Sequence, residues 1–194
     1  TAQTRWQVLL QQVIMAPTVM PPIDASWFEE GAALGPAEQS RIAAAGLLSQ
    51  QGVPLGLDRW DGYPAARKRL LAAARRSDAN LIVLSGDSHN AWAYDLNQNG
   101  EAAGVEFAVQ SVSSLGLEKR FGGDAANIAA QFVATNPGLR WCDTSQRGYM
   151  DLDLSKSAAT CTWRFFPSRS EISTEMLGTH QLSAEYGAKR LGAV

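Results

Sequence analysis

Asn80-Leu-Ile-Val-Leu-Ser-Gly-Asp87-Ser-His89-Asn90 is the stretch on which the fold turns. Its aliphatic run is too short for a helix and suits a strand covered on both faces, as in α/β sheets. The run becomes polar where the strand must stop, and α/β folds place their sites at that open strand end. If the extended backbone continues, positions i and i+2 face the same side, so Asp87 and His89 converge on one point. Carboxylate oxygen and imidazole nitrogen are both competent ligands for iron, zinc, manganese or calcium. Gly86 removes a Cβ that would crowd a ligand near the backbone. The competing reading is a capped loop with a satisfied histidine.

Upstream of this strand, Tyr63 to Arg76 reads as a helix with Pro64 in its first turn and an apolar face of Ala66, Leu70, Ala73 and Ala74. Arg67, Lys68, Arg69, Arg75 and Arg76 read as its solvated face. Pro36 to Gln51 reads as another helix, stopped at Gly52. Residues 17–35 are a proline-rich loop, and Trp6 to Met15 a buried strand. Downstream, Ala91 to Leu96 and Val105 to Val112 read as strands joined through Asn97–Gly100. A helix over Asp124–Thr135 ends at Asn136-Pro137-Gly138, and Tyr149–Leu154 with Thr160–Phe166 makes a hairpin. The expectation is an α/β domain over residues 1–166, with 167–194 as a tail that packs on it or extends.

Apolar residues at 45% and charged residues at 19% give the balance of a globular chain. A net charge of −2 supplies no basic field for nucleic acid or an anionic membrane. No apolar run reaches membrane-spanning length, and no basic-then-apolar leader opens the chain, which decides nothing about export. Cys142 and Cys161 lack zinc spacing and read as buried thiols, a single bridge being the alternative. The only histidines are His89 and His180, so a metal site here must lean on carboxylates and amides.

Trp60-Asp61-Gly62-Tyr63-Pro64 followed by Leu84-Ser85-Gly86-Asp87-Ser88-His89 resembles the PhoD-like alkaline phosphatases, relatives of the calcineurin-type metallophosphoesterases. Trp6…Gln12-Val13…Met15, Gly104-Val105-Glu106-Phe107 with Ser111–Ser114, and Arg147-Gly148-Tyr149 fit the same resemblance, which covers roughly residues 6–166. It implies the C-terminal half of a four-layer α/β/β/α sandwich, in which a metal-activated hydroxide attacks a phosphate mono- or diester. Asp87 and His89 would be ligands, with Asp87 standing where relatives ending Gly-His-x-His carry histidine. That substitution hardens the site towards Ca2+ and Fe3+. Asp58, Asp61 and Tyr63 would shape the pocket wall, and Asn90 would ligate or bond phosphate unless it only starts the next strand. Glu106 would be a partner of His89, and Gln12 would join Asp61 and His89 at one sheet edge. Periplasmic or extracellular location follows from the resemblance alone.

A two-metal centre draws about six to eight protein donors, and this chain offers two convincing ones. The family's other ligands lie in an N-terminal half without counterpart here. The alternatives are therefore a silent fragment or half of a split enzyme completed by that N-terminal half, and the apolar sheet surface left uncovered without that half is expected to be buried by self-association or by the tail after Pro167. A different class is suggested by Gly86-Asp87-Ser88, with Ser88 as a serine-hydrolase nucleophile. Such enzymes place their base in Asp-x-x-His, but Leu177 stands three before His180.

Overall fold

The computed structural model describes residues 4–29, 31, 33–173 and 175–193. Among these residues, eight strands run in chain order: β1 (Gln7–Leu10), β2 (Leu81–Ser85), β3 (Ala91–Gln98), β4 (Glu101–Ala108), β5 (Leu139–Asp143), β6 (Gly148–Leu154), β7 (Ala158–Phe165) and β8 (Gly178–Glu185). Three helices accompany them: α1 (Pro36–Gln50), α2 (Pro64–Arg76) and α3 (Ala125–Thr135). The first sheet has the order β1-β2-β4-β3-β5 and the second β6-β7-β8.

Side-chain alternation sorts the first sheet into two cores. Leu81 and Val83 of β2, with Trp92 and Tyr94 of β3, face Leu71 of α2 and Ile128 and Phe132 of α3. Ile82, Ala91, Ala93, Val105 and Phe107 point the other way, against Ala159, Cys161, Trp163 and Phe165 of β7. The layers are thus helices, five-stranded sheet, three-stranded sheet, which matches the expected α/β sandwich. Proline opens α1 and α2, and Asp124 caps α3 by accepting the Ala126 N–H at 2.9 Å.

Several expectations change. Only Gln7–Leu10 of the Trp6–Met15 stretch is strand, and it forms a half-buried edge rather than a buried strand. Two strands escaped the sequence reading. β5, Leu-Arg-Trp-Cys-Asp, is too short and mixed in polarity to show alternation, and β8 arises within the stretch after Pro167 and pairs along β7. The last residues return to the first sheet, where the Leu191 and Gly187 N–H groups donate to Asp95 Oδ1 and Asn80 Oδ1, each at 2.8 Å. Cys142 and Cys161 are both free and buried. No described helix is long and apolar enough to cross a membrane.

Candidate functional site

β1, β2 and β4 run parallel, whereas β3 is antiparallel to both β4 and β5. One edge of the sheet therefore collects the segments after β1, β2, β4 and β5, and the loop Gly86–Asn90 lies in its midst. Backbone bonds fasten this edge: Gly86 N–H donates to Gln12 O at 3.0 Å, and Gln11 N–H to Leu84 O at 3.0 Å. The Trp60 indole N–H reaches Gln11 Oε1 at 2.7 Å, so the Trp60–Gly62 turn sits beside the end of β1.

Asp87 and His89 are both exposed on this edge, but not by strand alternation. β2 ends at Ser85, and the two residues adopt left-handed backbone conformations with φ of 64° and 58°. Such values are uncommon for residues bearing a Cβ, though Asp and His tolerate them better than most. The i, i+2 argument from an extended backbone is thereby replaced by a tight bend. Gly86 is not demanded by protein packing, since a Cβ there would meet Val109 Cγ1 at 3.5 Å, an ordinary contact.

The His89 ring is oriented by one bond, Nδ1 to Leu115 O at 3.0 Å. A carbonyl only accepts, so Nδ1 carries the hydrogen, and in the neutral ring Nε2 keeps its lone pair. The expected Glu106–His89 contact is not formed. Glu106 is fully buried on the helical side of the sheet, and its carboxylate accepts from Met15 N–H, Ala16 N–H and Ser85 Oγ–H at 2.7–2.8 Å. Burial pushes the Glu106 carboxyl up, against the pull of these three donors. Its role is to pin the chain after β1 to the ends of β2 and β4.

The remaining candidates divide. Asp61 is turned inward: Oδ1 pairs with Arg67 Nη1 at 2.6 Å, and Oδ2 accepts the Thr18 N–H at 3.1 Å. Arg67 therefore leaves the solvated face to which the sequence assigned it, while Lys68 and Arg69 remain on it. Asp58, Tyr63 and Gln12 are exposed. Asn90 is 1% exposed and lies under Gly116, where a Cβ would come within 2.4 Å of Asn90 Nδ2. Its Nδ2 is buried without a hydrogen-bond partner among the described residues. Ser88 Oγ donates to Asn90 O at 3.1 Å and accepts the Trp92 indole N–H at 2.8 Å, without any imidazole on it. It is a loop-capping hydroxyl in this arrangement. His180 lies elsewhere, on β8, stacked on Trp141 at 3.9 Å between ring centroids; burial lowers its pKa, opposed by Asp143.

Arg147 stands in the Arg147-Gly148-Tyr149 motif without a role that the residue order reveals. Its guanidinium, 3% exposed, pairs with Glu118 Oε2 at 2.8 Å and donates to the carbonyls of His89 and Ser114. Nothing in the sequence signals that partnership.

Asp87, whose carboxylate takes no hydrogen bond among the described residues, and His89 Nε2 are chemically suited to hold iron or calcium. Among the described residues, no group of three or more His, Cys, Asp or Glu side chains could hold an ion. Two candidate donors are too few for a whole centre.

Alkaline phosphatase D of Bacillus subtilis (strain 168) is 30% identical to this chain over 121 residues, which is 59% of this chain and 20% of the relative. The solved structure of PhoD superposes with a TM-score of 0.64 at 21% identity, over 98% of this chain and 31% of that one. At that identity the likeness speaks for the fold, and this chain spans less than a third of either relative's length. The PhoD-like phosphatase family model matches residues 1–163, and the chain belongs to that family.

Proposed function

We propose that this chain carries one side of the centre of a phosphoester hydrolase, with Asp87 and His89 as its metal-holding groups. The observation that carries this reading is the His89 ring: its Nδ1 is occupied by Leu115 O, and its other nitrogen is left on an exposed strand-end loop, two residues from Asp87, whose carboxylate is unengaged among the described residues. Iron and calcium, the ions that the donor chemistry favours, would supply positive charge against the nonbridging phosphoryl oxygens and acidify water. The chain's own residues orient the imidazole, hold Asp87 at the bend and, through exposed Asp58 and Tyr63, border the substrate. Asp61 acts behind them by fixing the turn that presents Tyr63. The remaining donors come from the rest of the domain. β1 favours such a partner, because its outer side pairs with no strand among the described residues and Leu10 at its end is 75% exposed. A second copy is the other candidate for that edge. Export to the periplasm or the cell exterior is part of the same reading by family likeness.

The test compares the full-length protein with the 194-residue chain on a chromogenic phosphodiester and monoester, with iron and calcium added. The full-length protein should turn over in a chelator-sensitive manner, and the chain alone should be silent. Ser88→Ala should change turnover less than about twofold, while losing about 1–3 kcal/mol of stability because the Trp92 N–H is left without its acceptor. Chelator-resistant activity that a fluorophosphonate abolishes would overturn the metal reading in favour of Ser88.

A further inference from the structure

We propose that Arg147 is a positioning residue: clamped by Glu118, it holds the His89 main chain in its left-handed conformation and thereby selects the ring tautomer that leaves Nε2 free. This rests on the reading of His89 as a ligand but is tested without any metal.

The argument starts from strain. A Cβ-bearing residue in the left-handed region crowds the following carbonyl, and such a conformation persists only where its surroundings over-determine it. At His89 the surroundings are a single cluster. Arg147 Nη1 donates to His89 O and, at 3.3 Å, to Ser114 O. The residue after Ser114 supplies the Leu115 carbonyl that binds His89 Nδ1. One guanidinium thus staples the backbone of His89 to the segment that orients its side chain. Glu118 closes the cluster from behind. Its Oε2 takes Arg147 Nη2 at 2.8 Å, and both of its oxygens accept the Gly116 N–H at 3.0 Å. Gly116 allows the close approach, since a Cβ there would lie 2.7 Å from His89 O.

The chemical consequence is specific. A free neutral imidazole prefers its hydrogen on Nε2, which would hide the outward lone pair. Fixing Nδ1–H against a carbonyl reverses that preference, the usual way a ligating histidine is prepared. Arginine suits the task because its planar fork serves two carbonyls and a carboxylate at once, which a lysine ammonium on a flexible stem does less well.

Long-range 1H–15N correlation spectra of the 15N-labelled chain at alkaline pH, where imidazoles are neutral, read the tautomer directly. There are only two histidines to assign. The wild-type His89 should be predominantly Nδ1-protonated. Arg147→Lys should give a mixture and Arg147→Met a predominantly Nε2-protonated ring, while His180, on the far strand β8, keeps its shifts and reports an intact fold. If Arg147→Met does not fold, Arg147→Lys and Glu118→Gln carry the test, both moving His89 towards the Nε2–H form. A wild-type His89 already protonated on Nε2, or an unchanged His89 pattern in folded Arg147 and Glu118 variants, would overturn the proposal. Failure of cation binding with the tautomer shift intact would sink the ligand reading of His89 and leave the clamp standing.

Discussion

In the full-length protein, Asp87→Asn and His89→Ala should each lower phosphoester turnover by at least on the order of a hundredfold, the upper range seen when only a ligand's supporting partner is lost. Their stability should stay close to wild type. Both side chains are exposed, and Asp87 engages no described partner, so removal leaves no buried group unsatisfied. His89→Ala gives up only the bond to Leu115 O, while the left-handed backbone at 89 is still held by Arg147. Steady-state kinetics with thermal melts of the same preparations separate the outcomes. Wild-type turnover by either variant would remove it from the site, and a large fall in melting temperature would make its role structural.

Asp61 should behave in the opposite way. Its side chain is 4% exposed and that of its partner Arg67 15%, so the pair is enclosed by the Thr18 segment and α2. Removing one partner of a buried pair strands the other, at a cost of about 3–5 kcal/mol. Arg67→Met and Asp61→Ala should each destabilise the chain towards the lower end of that range, because Arg67 retains some water. For a chain of this size that lowers the melting temperature by roughly 6–12 °C. The double variant should lose much less than the sum, since the coupling is shared. Chemical denaturation of the four proteins checks this. Single variants within about 0.5 kcal/mol of wild type, coupled with lost turnover, would instead return Asp61 to the pocket wall.

The contrast between these predictions shows what the sequence could and could not reveal. The buried β2 run and the helix starts at Pro36, Pro64 and Asp124 were legible because periodicity and capping are local signals. The proposal of Asp87 and His89 as ligands starts in the sequence from strand geometry that the structure replaces, because a left-handed bend leaves no mark in residue order beyond Asp and His themselves. Arg67 looked solvated beside Lys68 and Arg69, yet the turn of α2 that places 67 over Asp61 depends on a loop folding back from six residues upstream. The role of Arg147 rests on Glu118, Ser114 and His89, which only tertiary packing brings together. β8 was missed for a similar reason: Gly-Thr-His-Gln-Leu-Ser-Ala-Glu has little apolar alternation and gains its order by pairing along β7.

The central claim is that Asp87 and His89 together present open donor atoms to a cation. Titrating the 15N-labelled chain with Mn2+ tests it most directly, because paramagnetic broadening marks the amides nearest the bound ion. Two protein donors leave most of the coordination shell to water, so affinity should be weak, with a Kd on the order of a millimolar. Broadening should centre on Gly86–Asn90, spare His180, and disappear in Asp87→Asn and His89→Ala alike. Broadening that gathers elsewhere, or that survives both substitutions, would contradict the account.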